Sequence, residues 1–563
     1  MTAPAVVSDA LDGLARARLR PGVGVTPLRA GLHLRGWRSS VTLEGSPALP
    51  ALWQLLAEVL AGGDHAALTD RAPVGSPLRA ALNTLVGHLR EHDLLTGPAE
   101  DAPAWLRVGA ADPVAAAADL AAARPQLRTT DPASPLARAA AQALVRAGAA
   151  PATVAAPTAD GLVLLTAGPG SATAVGVAAT PAGGFVTAPG TPAQVAADAE
   201  ALAARLGLVP TAADEASPTP AALTALLAGA AAHRLLCALT GLPDPATEGE
   251  DHHVLAGLPA VLVVDAAPLR SSWRSWPAPR LPGPDTSAPL DPPDTLARAL
   301  HRLAALTDGR VGVLPAPEPG TLSQLPVARA RCPVPGGTLL AAAVRTDLAR
   351  LDALCRGAEL RLDTAESTTA VGATPDHALG RALRRAATAV AAGGTPLPVR
   401  SWAGHPQAEH WWRTLTAELG RPAELGVTRL APGGHTATVR VPGRPPVTAV
   451  EATAGDAVAF AALGAVAQAV SAELTFRHLS LPSGAGAALV AAGLELTAWE
   501  DEGWTTGWLT GIAAREPALL AGLCELTGLT VRPADPAPAL AEALRACGFT
   551  VLAVRPTTNG ATR

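Results

Sequence analysis

The sequence predicts a multidomain α/β protein: a small winged-helix-type module over residues 1–98, then a larger α/β body whose parts span 99–290 and 291–563. Three observations predict it. A chain of 563 residues outgrows a single hydrophobic core and divides into about two to four domains. Two stretches dense in proline, Thr96 to Ala104 and Pro277 to Pro293, punctuate it. The apolar pattern also changes along the chain: short period-two runs, then helical periodicity, then an alternation of the two.

The module comes first. Val23 and Val25 alternate with glycines, Leu32 and Leu34 with His33 and Arg35, Val41 and Leu43 with Thr42 and Glu44. Period two marks a strand with one buried face, and turn residues at Arg29-Ala30-Gly31 and Gly36 to Ser40 separate the three runs. Leu49, Leu52, Trp53, Leu56 and Leu60 then share one helical face, which Gly62-Gly63 ends. Asp64 caps a short second helix over 65–70. Ser76 and Pro77 open a third, lined by Leu78, Leu82, Leu85 and Leu89. So small a core is marginal alone.

Two kinds of partner suit this unit. A winged helix can set a helix in the DNA major groove. Alternatively, an extended peptide can add to the edge strand and pack against the third helix. Arg79 and Arg90 lie on that helix, but Glu91 and Asp93 follow, and the chain contains no lysine. A DNA reader needs a basic stripe, so charge favours the peptide, although a purely structural cap stays open.

Composition narrows the class. Hydrophobic residues make up 49% and charged residues 16%, which excludes a disordered chain. Alanine, glycine, proline, leucine and arginine dominate and tyrosine is absent, a bias we attribute to GC-rich coding DNA. A net charge of −5 disfavours non-specific nucleic-acid binding. The five cysteines (237, 332, 355, 524 and 547) form no CxxC pair, which suits a reducing cytoplasm and argues against disulfides or a zinc knuckle. The first 20 residues do not read as a signal peptide, and no membrane span is expected.

The middle region reads as strands at Leu127 to Thr130, Thr153 to Ala156, Gly161 to Gly168 and Leu258 to Ala266. Helices are expected at Ser134 to Gly148, Gln194 to Gly207 and Ala221 to Leu239. The alternation predicts a mostly parallel sheet. Nucleotide binding on such a sheet needs glycines after its first strand; Thr130-Asp131-Pro132-Ala133-Ser134-Pro135 has none, and Gly168-Pro169-Gly170-Ser171 lacks a P-loop lysine. His252-His253 falls in an acidic loop that reads as solvated.

Several runs together resemble a known family. They are Pro21-Gly22-Val23-Gly24-Val25, Gly31-Leu32-His33-Leu34-Arg35-Gly36, Val41-Thr42-Leu43-Glu44-Gly45, Leu49-Pro50-Ala51-Leu52-Trp53 and His92-Asp93-Leu94-Leu95. They resemble the leader-peptide recognition element of proteins that mature ribosomal peptides into natural products. The resemblance implies that a precursor's leader adds as a strand beside Val41, Thr42, Leu43 and Glu44, facing Arg79, Asn83, Val86 and Arg90. The middle region, with Ala231-Ala232-His233-Arg234-Leu235-Leu236-Cys237, looks like the ThiF-like domain of the same proteins. Trp273 to Pro282 lacks the zinc-binding cysteines of many relatives, which implies a degenerate docking or dimerising domain.

Beyond the second linker, Leu296 to Leu303, Leu306 to Val313 and Ala373 to Arg385 resemble a YcaO-type α+β domain. Such domains hold magnesium and ATP on helix-borne glutamates, hard ligands for a hard cation. The positions matched to two of those glutamates are Arg381 and Arg384, which share a helix face and would repel magnesium. Gln468 is followed at the expected spacing by Ser471, with Glu473 out of register, and the end of the chain, Pro556-Thr557-Thr558-Asn559-Gly560, lacks a proline-rich tail. The resemblance thus implies a non-catalytic partner of azole-forming (thiazole/oxazole, thiopeptide-type) cyclodehydratases. The chain would hold no cofactor or metal, ATP and magnesium would sit on a separate YcaO enzyme, and a homodimer is possible. Two alternatives remain: a cyclodehydratase in its own right, with Asp363, Glu366 and Glu473 as divergent carboxylates, and a winged-helix regulator. His405 to His410 (H-P-Q-A-E-H) offers a metal site or a plain helix start over Trp411 and Trp412; Glu500-Asp501-Glu502 reads as a solvated turn.

Overall fold

The computed structural model describes residues 11, 14, 17–62, 65–97, 101–155, 159–168, 172–208, 218–247, 254–277, 289–364, 368–390, 394–431, 433–471, 475–481, 484–487, 489, 504–533 and 538–555. The chain forms two compact units, one of residues 1–250 and 261–272, the other of 251–260 and 273–563.

The first unit opens with the expected module. Strands β1 (Gly24–Leu28), β2 (Gly31–Arg35) and β3 (Ser40–Glu44) form an antiparallel sheet in that order. Helices α1 (Leu49–Leu60), α2 (His65–Arg71) and α3 (Pro77–Glu91) follow. Gly62, at φ +97°, takes the left-handed conformation that ends α1; Gly63 and Asp64, the expected cap, lie outside the described residues. The Ser76 hydroxyl accepts the Arg79 backbone N–H at 3.1 Å and starts α3, with Pro77 in its first turn. Leu32, Leu34, Leu56, Leu82, Leu85, Val86 and Leu89 close one core. Arg20 staples the module to the helix that follows, α4 (Ala104–Gly109). Its guanidinium donates to Asp93 O at 2.9 Å and Ala110 O at 2.6 Å, and pairs with the Asp93 carboxylate at 2.6 Å. Asp93 is held there at φ +52°.

The middle of the chain adds α5 (Pro113–Ala122), β4 (Gln126–Arg128), α6 (Pro135–Arg146), β5 (Thr153–Ala155), β6 (Leu162–Ala167), β7 (Thr173–Thr180), β8 (Gly183–Val186), α7 (Pro192–Leu206), α8 (Ala221–Thr240), β9 (Ala260–Ala266) and β10 (Leu269–Ser275). The strands make one sheet in the order β10-β9-β8-β7-β6-β4-β5. This corrects the parallel sheet expected above: β4 and β5 run parallel, whereas β4-β6, β6-β7, β7-β8 and β8-β9 are antiparallel. The physical reason is two strands that the pattern conceals. β7 (Thr-Ala-Val-Gly-Val-Ala-Ala-Thr) and β8 (Gly-Gly-Phe-Val) mix strand formers with alanine and glycine, which break up the period-two apolar pattern. Helices pack closely on them: a Cβ at Gly176 would lie 3.2 Å from Val195 of α7, and one at Gly184 would lie 2.4 Å from Leu227 of α8. Two residues join β7 to β8, a connection that only antiparallel strands can make. Helix α8 is long and apolar enough to cross a membrane by length and composition, yet over half of its apolar stretch is buried in this unit. There the fully buried Arg234 forms an ion pair with Asp244 and donates to Thr187 O at 2.7 Å.

The second unit carries α9 (Leu296–Leu306), β11 (Ala328–Val334), β12 (Gly337–Ala343), α10 (Thr346–Leu362), β13 (Thr368–Gly372), α11 (Pro375–Val390), α12 (Pro406–Arg413), β14 (Glu424–Leu430), β15 (Gly434–Arg440), β16 (Val447–Glu451), α13 (Ala454–Val470), β17 (His478–Ser480), α14 (Trp504–Thr527), β18 (Thr530–Pro533), α15 (Ala539–Ala546) and β19 (Thr550–Arg555). Its strands form three sheets: β11-β12-β17, β13-β19-β18, and β14-β15-β16 with the short Thr395–Pro396 piece beside β14. Helix α13 is buried on every side from Ala454 to Ala469, and its alanines and glycines allow that enclosure. Helices α10 and α11, which bear the buried Asp352, Glu359, Arg381 and Arg384, pack against β13.

Candidate functional site

Two places carry unusual chemistry, one in each unit. In the first unit, β3 is an edge strand. Its inner side pairs with β2 (Leu34 opposite Val41, His33 opposite Thr42, Leu32 opposite Leu43), and among the described residues no strand pairs with its outer side. Val41 and Leu43 turn half-buried toward the module core, while Ser40, Thr42 and Glu44 face solvent. Thr42 Oγ1 lies 2.8 Å from His33 Nδ1. An open ladder edge is a ready template for an extended chain.

The residues of α3 depart from expectation. Asn83 is half-buried and Arg90 exposed, but Arg79 and Val86 are buried, at 5% and 0% exposure, rather than displayed on an open face. Arg79 points inward, donating from Nη1 to Ala72 O at 3.1 Å. Asn83 Oδ1 already accepts a backbone hydrogen bond, from Leu11 N–H at 3.0 Å. Leu11 and Leu14 are themselves buried in the module core. Neither leucine was among the core positions expected from the sequence. The signal was the pair of leucines three residues apart.

In the second unit a cavity of about 490 Å³ is lined by Arg356, Glu359, Arg381, Arg384, Arg385, Glu451, Gln468 and Arg477, among others. Arg381 and Arg384 are one helical turn apart on α11, and both are buried. Neither guanidinium is an uncompensated charge. Arg381 donates from Nε to Glu359 Oε1 at 3.0 Å and also pairs with Asp352. Arg384 donates to Glu516 Oε1 and Oε2, both at 2.6 Å, to Glu451 Oε2 at 3.0 Å and to Val450 O at 3.0 Å. Arg385 and Arg356 reach Glu359 Oε2 at 2.8 Å and 3.1 Å.

The electrostatics follow from this bonding. Burial alone would raise the Glu359 carboxyl, but Arg381, Arg385 and Arg356 overcome it and hold its pKa at about 2. Burial raises Glu451, and Glu516 beside it adds to the rise against the pull of Arg384. Burial, with Arg381 and Arg384 nearby, pushes His377 down to about 3. Its neutral Nδ1 accepts the Ala373 N–H at 3.1 Å. The sequence named the two arginines but missed Asp352, Glu359, Glu451 and Glu516. Asp352 and Glu359 lie seven residues apart on the buried face of α10, a spacing legible in the sequence.

The remaining candidates separate. Asp363 Oδ1 accepts the Thr369 N–H at 2.6 Å, and Arg385 stands 3.9 Å from its other oxygen. Glu366, Glu473, His252, His253, the Glu500 to Glu502 cluster and the terminal Pro556 to Gly560 stretch lie outside the described residues. His405 is the N-cap of α12: its Nδ1 accepts the Ala408 N–H at 3.3 Å, and its Nε2 is 3.3 Å from Asp456. Glu409 instead accepts the Gly404 N–H at 2.7 Å. Trp411 is buried and Trp412 half-buried, as a helix start requires. Among the described residues, no three metal-ligating side chains gather.

No protein-family profile matches this chain, and no curated protein sequence is similar to it. Solved structures are. One titled "Heterocyclase in complex with substrate and Cofactor" superposes with a TM-score of 0.52 at 12% identity, over 96% of this chain and 94% of that one. A second, "Structure of the heterocyclase TruD", gives a TM-score of 0.46 at 12% identity over the same shares. The first likeness extends along nearly the whole chain and shows a shared fold.

Proposed function

We propose that this protein acts in azole-forming maturation of ribosomal peptides by binding the precursor's leader and presenting its core to a separate YcaO cyclodehydratase. The leader adds as a strand to β3, along Val41, Thr42, Leu43 and Glu44, and reaches toward Asn83 and Arg90 of α3. Binding raises the effective concentration of core cysteines, serines and threonines at the partner's site. ATP and magnesium belong to that partner, and the work is cytoplasmic. The carrying observation is the cavity of the second unit. Both carboxylates lining it among the described residues, Glu359 and Glu451, are committed to arginines. A carboxylate held by buried guanidiniums is a poor ligand for magnesium, which needs ionised oxygens free to coordinate. The heterocyclase fold supports the setting, and the open edge of β3 supports the binding mode.

The test is reconstitution. The precursor peptide is incubated with ATP and magnesium and with this chain, the partner enzyme, or both, and water loss from the core is followed by mass spectrometry. Processing by the pair, with the chain alone inactive, is the expected result.

A second reading has one observation in its favour: the likeness to a single heterocyclase chain runs nearly end to end. On that reading the protein is itself an ATP-dependent cyclodehydratase. ATP turnover and water loss by this chain with its peptide, without a partner, would select it.

A further inference from the structure

Asn83 of α3, a residue assigned above to the leader's groove, already holds a backbone. Leu11 N–H donates to Asn83 Oδ1 at 3.0 Å, and Leu14 N–H and Ala17 N–H donate back to Leu11 O and Leu14 O, each at 2.9 Å. Leu11 and Leu14 are both buried, at 2% and 0% exposure. They join Leu82, Leu85, Val86 and Leu89 of α3 in one core, with Val41 and Leu43 of β3 packed at its margin. Arg18–Leu19 then pairs antiparallel with Leu95–Thr96. Val86 has no exposed surface left to offer a peptide while this packing stands.

We infer that Leu11 and Leu14 of the protein's own chain occupy the α3 side of the peptide's site. The partner that fits this surface is a peptide bearing two large aliphatic side chains that take the places of Leu11 and Leu14, displacing them on binding. The inference rests on the leader-binding reading and adds the chemistry of the leader and the competition it meets. The open edge of β3 lets the incoming peptide form its strand first. Asn83 and the pocket of Leu11 and Leu14 are then exchanged from one backbone to the other, and no covalent step is involved. A groove that is filled in most molecules weakens apparent affinity by the fraction left open.

The experiment uses the full chain and a Leu11→Ser/Leu14→Ser variant, with two fluorescein-labelled probes: a synthetic peptide of residues 1–19 of this protein, and a synthetic peptide of the precursor's leader. The variant should bind the 1–19 peptide in trans where the wild type does not, and unlabelled leader should expel it. The variant should also bind the leader about tenfold more tightly than the wild type. In the unaltered protein, adding leader should speed hydrogen exchange at the Leu11 amide while slowing it along residues 40–44, a readout that needs no variant. Equal leader affinity for the two proteins, with the Leu11 amide unchanged on leader addition, would overturn the inference and leave leader binding intact. A leader that binds neither protein, while the 1–19 peptide still binds the variant, would overturn the proposed function and the displacement with it.

Discussion

The two units handle unpaired chemistry in opposite ways. Among the described residues, the N-terminal module leaves the backbone of β3 unpaired on one side and backs it with a thin apolar core. The second unit buries four arginine-bonded carboxylates around its cavity, and each is matched by a guanidinium. The contrast teaches that unpaired groups and paired charges ask for different partners. An edge left open recruits a chain. Buried charges that are paired with opposite charges fix a local structure.

The largest effect should come from breaking the second region. Arg384→Ala strands Glu451 and Glu516 together without a counter-charge, and we expect a loss of about 3–5 kcal/mol in urea denaturation followed by tryptophan fluorescence. Converting the whole set, Arg384→Met with Glu451→Gln and Glu516→Gln, should recover most of it. A single substitution costing under about 1 kcal/mol would mean that the network is not what holds α11 in place.

The next effect belongs to the open edge. Leu43→Asp or Val41→Asp places a charge on the half-buried face of β3. Leader affinity should fall at least tenfold in fluorescence polarisation, while the denaturation of the second unit stays unchanged. Equal affinity would shift the peptide away from this strand.

Acidification should separate the regions further. His377 is depressed to about 3 in the folded protein, so below its ordinary value of 6.5 the unfolded chain takes up the proton first and stability declines from pH 6.5 downward. Glu359, depressed to about 2 from 4.5, adds stability that is full above pH 4.5 and is lost as the pH falls toward 2. Replacing His377 with Asn should remove the upper part of this decline and keep the lower part, as read by denaturant midpoints across pH 3–7. The smallest effect is local: Ser76→Ala removes the cap of α3 and should cost about 1 kcal/mol, seen as increased exchange in the first turn of that helix.

The module was legible because each element carried its own signal: alternation at Leu32 and Leu34, a cap at Ser76, a left-handed stop at Gly62. The middle sheet was not. Thr173 to Val186 carries alanine and glycine where α7 and α8 lie against it, and their interruption of the apolar alternation hid two strands and the direction of the sheet. In the second unit the helix position of Arg381 and Arg384 could be read, and their charge suggested a site hostile to magnesium. Their partners come from α10, β16 and α14, up to 132 residues away, a distance that periodicity cannot bridge. Arg79 misled because a cation on an amphipathic helix reads as exposed, whereas this one bends inward to a carbonyl at the end of α2.

The account is most directly exposed in the reconstituted reaction. With precursor, ATP and magnesium, it predicts that water loss from the core requires both this chain and its partner enzyme, and that Leu43→Asp slows the paired reaction by lowering substrate capture. Water loss and ATP consumption by this chain alone, abolished by changing Asp363 or Glu451, would contradict it and make the second unit a working cyclodehydratase.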